Sequence, residues 1–172
     1  MQVEALVIPP APPRVRLFAQ SDLHVTLGFL GPVRDSAALA AWQSIDRFPS
    51  LRRVDGTFSR VRALGHPRKP SALSALIEEG ELELSAMIAE ARAPLLEAAG
   101  APPEDRSPLP HMTIARIQRR ASAAERRRAL DWAQGIELRG ARFVASQVAL
   151  YTWSTDRQSR LFQIVEQRAL AS

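Results

Sequence analysis

His24-Val25-Thr26-Leu27 returns as His111-Met112-Thr113-Ile114, in a chain of 172 residues that holds only three His and five Thr. The copies stand about half a chain apart, and a duplication giving two similar lobes accounts for that interval better than chance. Each copy opens an apolar-alternating run, so strands are expected from about His24 to Leu30 and over His111–Ile117. In a strand, residues two apart point to one side, so each His shares a face with its Thr. Val25, Leu27, Met112 and Ile114 then face a core. Gly28 and Ala115 come next on the polar face, and their small size would leave room for a guest.

Two such walls across a cleft would place two imidazoles and two hydroxyls around that guest. Imidazole titrates near neutral pH, so one copy can accept a proton while the other donates one. On opposite sides of a phosphorus, the pair could activate an incoming oxygen and protonate a leaving one. Thr26 and Thr113 would donate to the non-bridging oxygens, where negative charge develops. The sequence has no Cys for a thiol nucleophile or zinc–thiolate site, and no Gly-x-Ser-x-Gly turn or phosphate-binding Gly loop. Phosphodiester chemistry without metal or other cofactor is the economical reading.

The rest of the chain sets the frame. A short strand is expected over Val3–Ile8, then an extended connection through Pro9-Pro10-Ala11-Pro12-Pro13. A helix is expected over Ser36–Phe48, capped by Asp35 or Ser36, with Leu39, Trp42 and Ile45 on one face. Strands around Gly56–Leu64 and Ala72–Glu78 would form a hairpin with a basic tip at His66-Pro67-Arg68-Lys69-Pro70. The clearest helix runs from about Glu81 to Ala99, where Leu84, Met87, Ile88, Ala91, Leu95 and Ala98 make a buried stripe. Gly100 suits its end and Pro94 should kink it. Ser122-Ala123-Ala124-Glu125 is a capping-box start for a helix ending near Gly135. Strands over Arg142–Trp153 and Arg160–Val165 close the chain. Strands and helices mix without strict alternation, which predicts an α+β fold with mainly antiparallel pairing, built as one two-lobed domain over residues 1–172.

Composition adds exclusions more than assignments. Net charge is +5, and 22 of the 23 basic residues are Arg. Arg suits a phosphorylated partner, but 28 Ala beside 22 Arg is better explained by a GC-rich genome. No apolar run reaches the roughly 18 residues of a membrane span. Glu4 stands where a secretory signal would carry positive charge, so a cytoplasmic protein is expected.

The stretches His24-Val25-Thr26-Leu27-Gly28-Phe29-Leu30-Gly31 and Pro110-His111-Met112-Thr113-Ile114-Ala115-Arg116 resemble the paired signatures of the two-histidine (2H) phosphoesterases. The resemblance is closest to the branch of 2′-5′ RNA ligase and RNA 2′,3′-cyclic phosphodiesterase, and spans about Leu23 to Val165. It implies a bilobal, pseudo-symmetric fold with two antiparallel sheets facing a central cleft and helices outside. It further implies metal-independent hydrolysis of 2′,3′-cyclic phosphate ends of RNA or nucleotides to 2′-phosphomonoesters. In that family the first His is the acid for the leaving oxygen and the second the base for water, which assigns those parts to His24 and His111. Arg116 matches a family Arg near the phosphate, although strict alternation from His111 would turn it away unless a bulge or the strand's end intervenes. The family helix between the first strand and the first His has no room here, since only Pro9 to Leu23 intervene. A monomer is expected.

Other readings stay open. The same resemblance would fit 2′-5′ RNA ligation, a small cyclic-nucleotide phosphodiesterase, or a non-catalytic RNA-binding module. Either His alone would be read as structural; the matched Thr in both copies reverses that. Asp22 is expected in a turn or as an acceptor orienting His24, since two His and one Asp make a poor metal set. His66 is expected at the surface. Tyr151 and Trp153 could stack a base, though same-face aromatics on a strand more often belong to a core.

Overall fold

The computed structural model describes residues 1–4 and 6–171; Ala5, inside the strand expected over Val3–Ile8, lies outside the described residues. In chain order the elements are β1 (Gln2–Val3), β2 (Val15–Leu17), α1 (Asp35–Gln43), β3 (Val54–His66), β4 (Lys69–Ile77) and α2 (Glu81–Ala98). There follow β5 (His111–Ile117), α3 (Ala123–Gln134), β6 (Arg142–Ala145), β7 (Gln147–Trp153) and β8 (Phe162–Ala169). Six strands form an antiparallel sheet in the order β1-β6-β3-β4-β5-β2, and β7 and β8 pair as a separate antiparallel hairpin. The α+β architecture with antiparallel pairing is as expected. The two sheets are unequal, six strands against two, so the pseudo-symmetry survives in the motifs more than in the lobes.

The core forms on one face of the large sheet. Phe58, Leu73, Ala75, Met112, Ile114 and Ala115 are 0–1% exposed and pack with Leu84 and Met87 of α2 and Ala129 and Ala133 of α3. Phe58 and Phe143 lie 5.0 Å apart between ring centres. Truncating such a ring to Ala costs about 3–5 kcal/mol. Gly56 permits this packing, because a Cβ there would fall 2.2 Å from the Glu79 carbonyl oxygen and 2.5 Å from Phe143 Cζ. A smaller cluster of Ala41, Ile45, Ala91, Leu95 and Ala99 holds α1 against α2, with Leu27, Leu30 and Val148 packed on it.

Several boundaries differ from the sequence expectation. β1 stops at Val3, and Leu6 and Ile8 instead pack against the core outside any ladder. The Pro-rich connection contains β2 and a 3₁₀ turn at Gln20–Asp22, entered through Arg14 at φ 67°. Prolines at 12 and 13 end just before β2, so its backbone N–H groups are free to pair. Helix α1 ends at Gln43, with a 3₁₀ turn at Ile45–Arg47; Arg34 occupies its N-cap with no side-chain bond, and Leu39 is 39% exposed. The final long strand breaks at Ser146, where the chain leaves the large sheet for the hairpin. The β3–β4 hairpin, α2 with Gly100 at φ 60°, and the Ser122–Glu125 capping box on α3 fall where the pattern placed them.

Candidate active site

The second motif lies on a regular strand. β5 pairs with β4 on one side (Leu76↔His111, Ser74↔Thr113) and with β2 on the other (Arg16↔Arg116, Leu17↔Ala115). Between β4 and β5 the register passes from Ser74↔Thr113 to Leu73↔Ala115, so Ile114 is an extra residue and β5 bulges there. Ile114 and Ala115 are both buried in the core, and Arg116 is returned to the face of His111 and Thr113. The bulge that Arg116 required is present. It also removes Ala115 from the polar face, correcting the expectation that Ala115 lines the guest's space.

The first motif is not on a strand, which corrects the expected strand over His24–Leu30. Val25 makes a single antiparallel bridge to Met112, and the segment beyond it joins no ladder. Leu30 packs on the α1–α2 cluster and Leu27 on both that cluster and the main core, which takes the chain off the sheet edge. Gly28 goes with them: a Cβ there would meet Arg92 and Leu95 of α2 at 3.9 Å, so it does not open the site. The lone bridge nevertheless settles the relation between the motifs. With Val25 opposite Met112, antiparallel register sets His24 opposite Thr113 and Thr26 opposite His111.

Both imidazoles are held alike. His24 Nδ1 bonds the Asp22 carbonyl oxygen at 2.7 Å, and His111 Nδ1 bonds the Leu109 carbonyl oxygen at 2.7 Å, each from two residues upstream. A carbonyl only accepts, so each Nδ1 carries the proton and each Nε2 is left for proton exchange. Their surroundings differ. Tyr151 stacks on His24 with centres 5.0 Å apart, and Phe162 meets its edge at 5.3 Å. Burial pushes His24 below the usual imidazole pKa; the Asp22 carbonyl and carboxylate partly offset this, and positive charge on the N-terminus and on His111 adds to the lowering. Burial likewise raises the Tyr151 phenol, with the Asp22 carboxylate adding to it.

Asp22 itself is 1% exposed, and its carboxylate accepts from the backbone N–H of Leu161 at 2.8 Å and of Phe162 at 3.0 Å. It therefore clamps the β7–β8 hairpin onto the first motif, while its backbone carbonyl does the orienting of His24. Arg16, opposite Arg116, turns its guanidinium to the carbonyls of Arg157 and Gln158. Ser74, beside Thr113 on β4, bonds its hydroxyl at 3.1 Å. Asp22 is expected in a turn or as an acceptor for His24, and it stands in the 3₁₀ turn with its backbone carbonyl as that acceptor. The sequence alone singles out neither its clamp on the hairpin nor the contacts of Arg16 and Ser74. For Ser74 a signal exists, a polar residue at an alternate position inside the apolar run Ala72–Ile77. Trp153 is 52% exposed rather than core, stacked on Phe162 at 5.1 Å with Arg157 over its ring. A depression of about 400 Å³ is lined by Ser21, Arg160, Gln163, Ile164 and the same Tyr151 and Phe162 that pack on His24. His66 is exposed, as expected. Among the described residues no three His, Asp or Glu side chains converge as a metal set, and no helix is long and apolar enough to cross a membrane.

An antiparallel sheet carrying two matched His-x-Thr segments across one bridge is the arrangement of a two-histidine phosphoesterase. A family model described as the 2′-5′ RNA ligase superfamily matches residues 5–157, and the chain belongs to that superfamily. Comparison with curated proteins returned no match. Among solved structures, E. coli LigT complexed with 3′-AMP is similar at TM-score 0.67 and 18% identity, over 92% of this chain and 83% of that one. A structure described as a phosphoesterase gives 0.65 and 20% identity over the same shares, 92% and 83%. TT0787 of Thermus thermophilus gives 0.60 and 20%, again over 92% and 83%. At these identities the likeness is one of fold.

Proposed function

We propose that the protein is a phosphodiesterase that opens 2′,3′-cyclic phosphate ends of RNA or nucleotides to 2′-phosphomonoesters, with His24 and His111 as its acid and base. The observation that carries this is the matched anchoring of the two imidazoles. Each has Nδ1 bonded to the carbonyl two residues upstream, and one backbone bridge sets the motifs antiparallel. Two Nε2 atoms presented from opposed segments suit an in-line displacement at phosphorus.

In the reaction, His111 Nε2 takes a proton as the water oxygen bonds phosphorus. The bond from phosphorus to the 3′ oxygen breaks, and that oxygen takes the proton of His24 Nε2. The product keeps its phosphate on the 2′ oxygen, and solvent exchange restores the two imidazoles. Thr26, Thr113 and Arg116 donate to the non-bridging oxygens. Burial lowers the His24 pKa and so favours its neutral form in the free protein. An anionic phosphate beside it favours the imidazolium, so substrate binding itself loads the acid. The nucleoside would lie in the depression beside Tyr151 and Phe162, where aromatic faces suit a base. That E. coli LigT has been crystallised with 3′-AMP supports a nucleotide ligand.

The family's description as ligases favours one second reading, the joining of a cyclic phosphate end to a 5′ hydroxyl. The two differ only in whether water or a ribose oxygen enters. Incubating a cyclic-phosphate oligonucleotide with and without a 5′-hydroxyl acceptor tests both. A 2′-phosphate product in each case supports the hydrolase, and a joined 2′-5′ product with no hydrolysis overturns it.

A further inference from the structure

Ser74 sits mid-strand in β4 at 0% exposure, flanked by Leu73 and Ala75, which are equally buried. A buried hydroxyl without a partner is costly, and among the described residues its side chain bonds only Thr113 Oγ1, at 3.1 Å. The strands place the two directly opposite, at the edge of the bulge in β5. Thr113 is only partly buried and faces the site with His111, whereas Thr26 is exposed and its hydroxyl bonds no described residue. The two motifs thus differ in what stands behind the hydroxyl.

We propose that Ser74 is a positioning residue, which donates its proton to Thr113 Oγ1 and so leaves the Thr113 proton aimed at an anionic oxygen in the site. Each hydroxyl has one proton, and two requirements choose the same direction for it. If Thr113 donated to Ser74, the Ser74 proton would be buried with no acceptor among the described residues. Thr113 would then also present lone pairs to an anion. With Ser74 as donor, both protons are used, and the polarised chain strengthens the outward bond. The inference rests on the phosphate-site reading given above.

Ser74→Ala, Thr113→Val and the double variant test it. Loss of the aiming bond in Ser74→Ala should lower kcat on a cyclic-phosphate substrate about five-fold, the worth of one hydrogen bond. In the Thr113→Val background the same change should add nothing. An equal loss in both backgrounds would show that Ser74 acts through packing, and no loss in either would remove its role; both overturn the proposal. Binding of inorganic phosphate to the four proteins, followed through the His111 ring resonances, separates this from the catalytic reading. Coupling of Ser74 and Thr113 in phosphate binding without turnover keeps the proposal and removes the phosphodiesterase. Turnover without coupling in either measurement does the reverse.

Discussion

His24 and His111 present the same anchored imidazole from unlike scaffolds. The second motif is held along its length, with β4 and β2 on either side and the core behind it. The first is held at points: one bridge through Val25, the Asp22 carboxylate on the hairpin, and two aromatic rings against the imidazole. Half the site is therefore a strand, and half is assembled from segments far apart in sequence. A repeated motif specifies which atoms are presented; the surroundings decide how each half fails and titrates.

The largest effect should come from what the halves share. His24→Ala and His111→Ala should each reduce turnover of a cyclic-phosphate oligonucleotide by about 10²–10⁴-fold, the usual worth of a positioned acid or base. A variant of either that kept wild-type turnover would end the symmetrical account.

The next effect should separate the halves. Asp22→Ala leaves two backbone N–H groups without their carboxylate, a loss of about 3 kcal/mol in unfolding stability for charge-assisted bonds at a buried site. Denaturant unfolding would report it, and fluorescence of Trp153 on the freed hairpin should change with it. An unaltered unfolding midpoint would mean the hairpin is held by its aromatic contacts alone.

The threonines should differ more subtly. Thr113→Val and Thr26→Val should each lower kcat by roughly 10-fold or more, as removal of an anion-stabilising donor does. Only the first should be sensitive to Ser74.

The smallest effect is electrostatic. Burial lowers the His24 pKa because it disfavours imidazolium, so Tyr151→Ala, by admitting water, should raise it toward the unperturbed value. The native state then binds fewer protons than the unfolded chain just below the unfolded His pKa of about 6.5, so His24 makes stability fall as pH drops through that range. Tyr151→Ala should flatten that fall. Titration of the His24 ring by NMR checks both, and a pKa lowered further in the variant would contradict burial as the cause.

Much of this was legible in the sequence, for local reasons. The Ser122–Glu125 cap, the existence of β5 and most of the 3.6-residue stripe of α2 depend on neighbours a few positions away and stand where expected, although Ala98 is exposed and Leu96 takes its place in the buried stripe. The bridge of Val25 to Met112 sets the two His-x-Thr segments side by side, although only the second lies on a strand as the spacing predicts. What escaped depends on tertiary competition. Leu27 and Leu30 read as strand residues, but α2 lies close enough to share Leu27 with the main core and to take Leu30. The bulge at Ile114 has no local signature, yet it decides that Ala115 is core and that Arg116 reaches the site face. The enclosure of His24 comes from residues more than a hundred positions downstream, which no window around the motif contains.

The central claim is that two imidazoles, without a metal, open a cyclic phosphate. Its most direct test is incubation of an oligonucleotide ending in a 2′,3′-cyclic phosphate with the protein in excess EDTA, with the position of the product phosphate assigned by ³¹P NMR. The account predicts undiminished conversion to the 2′-phosphomonoester. A 3′-phosphate product, or activity abolished by the chelator and restored by a divalent cation, would contradict it.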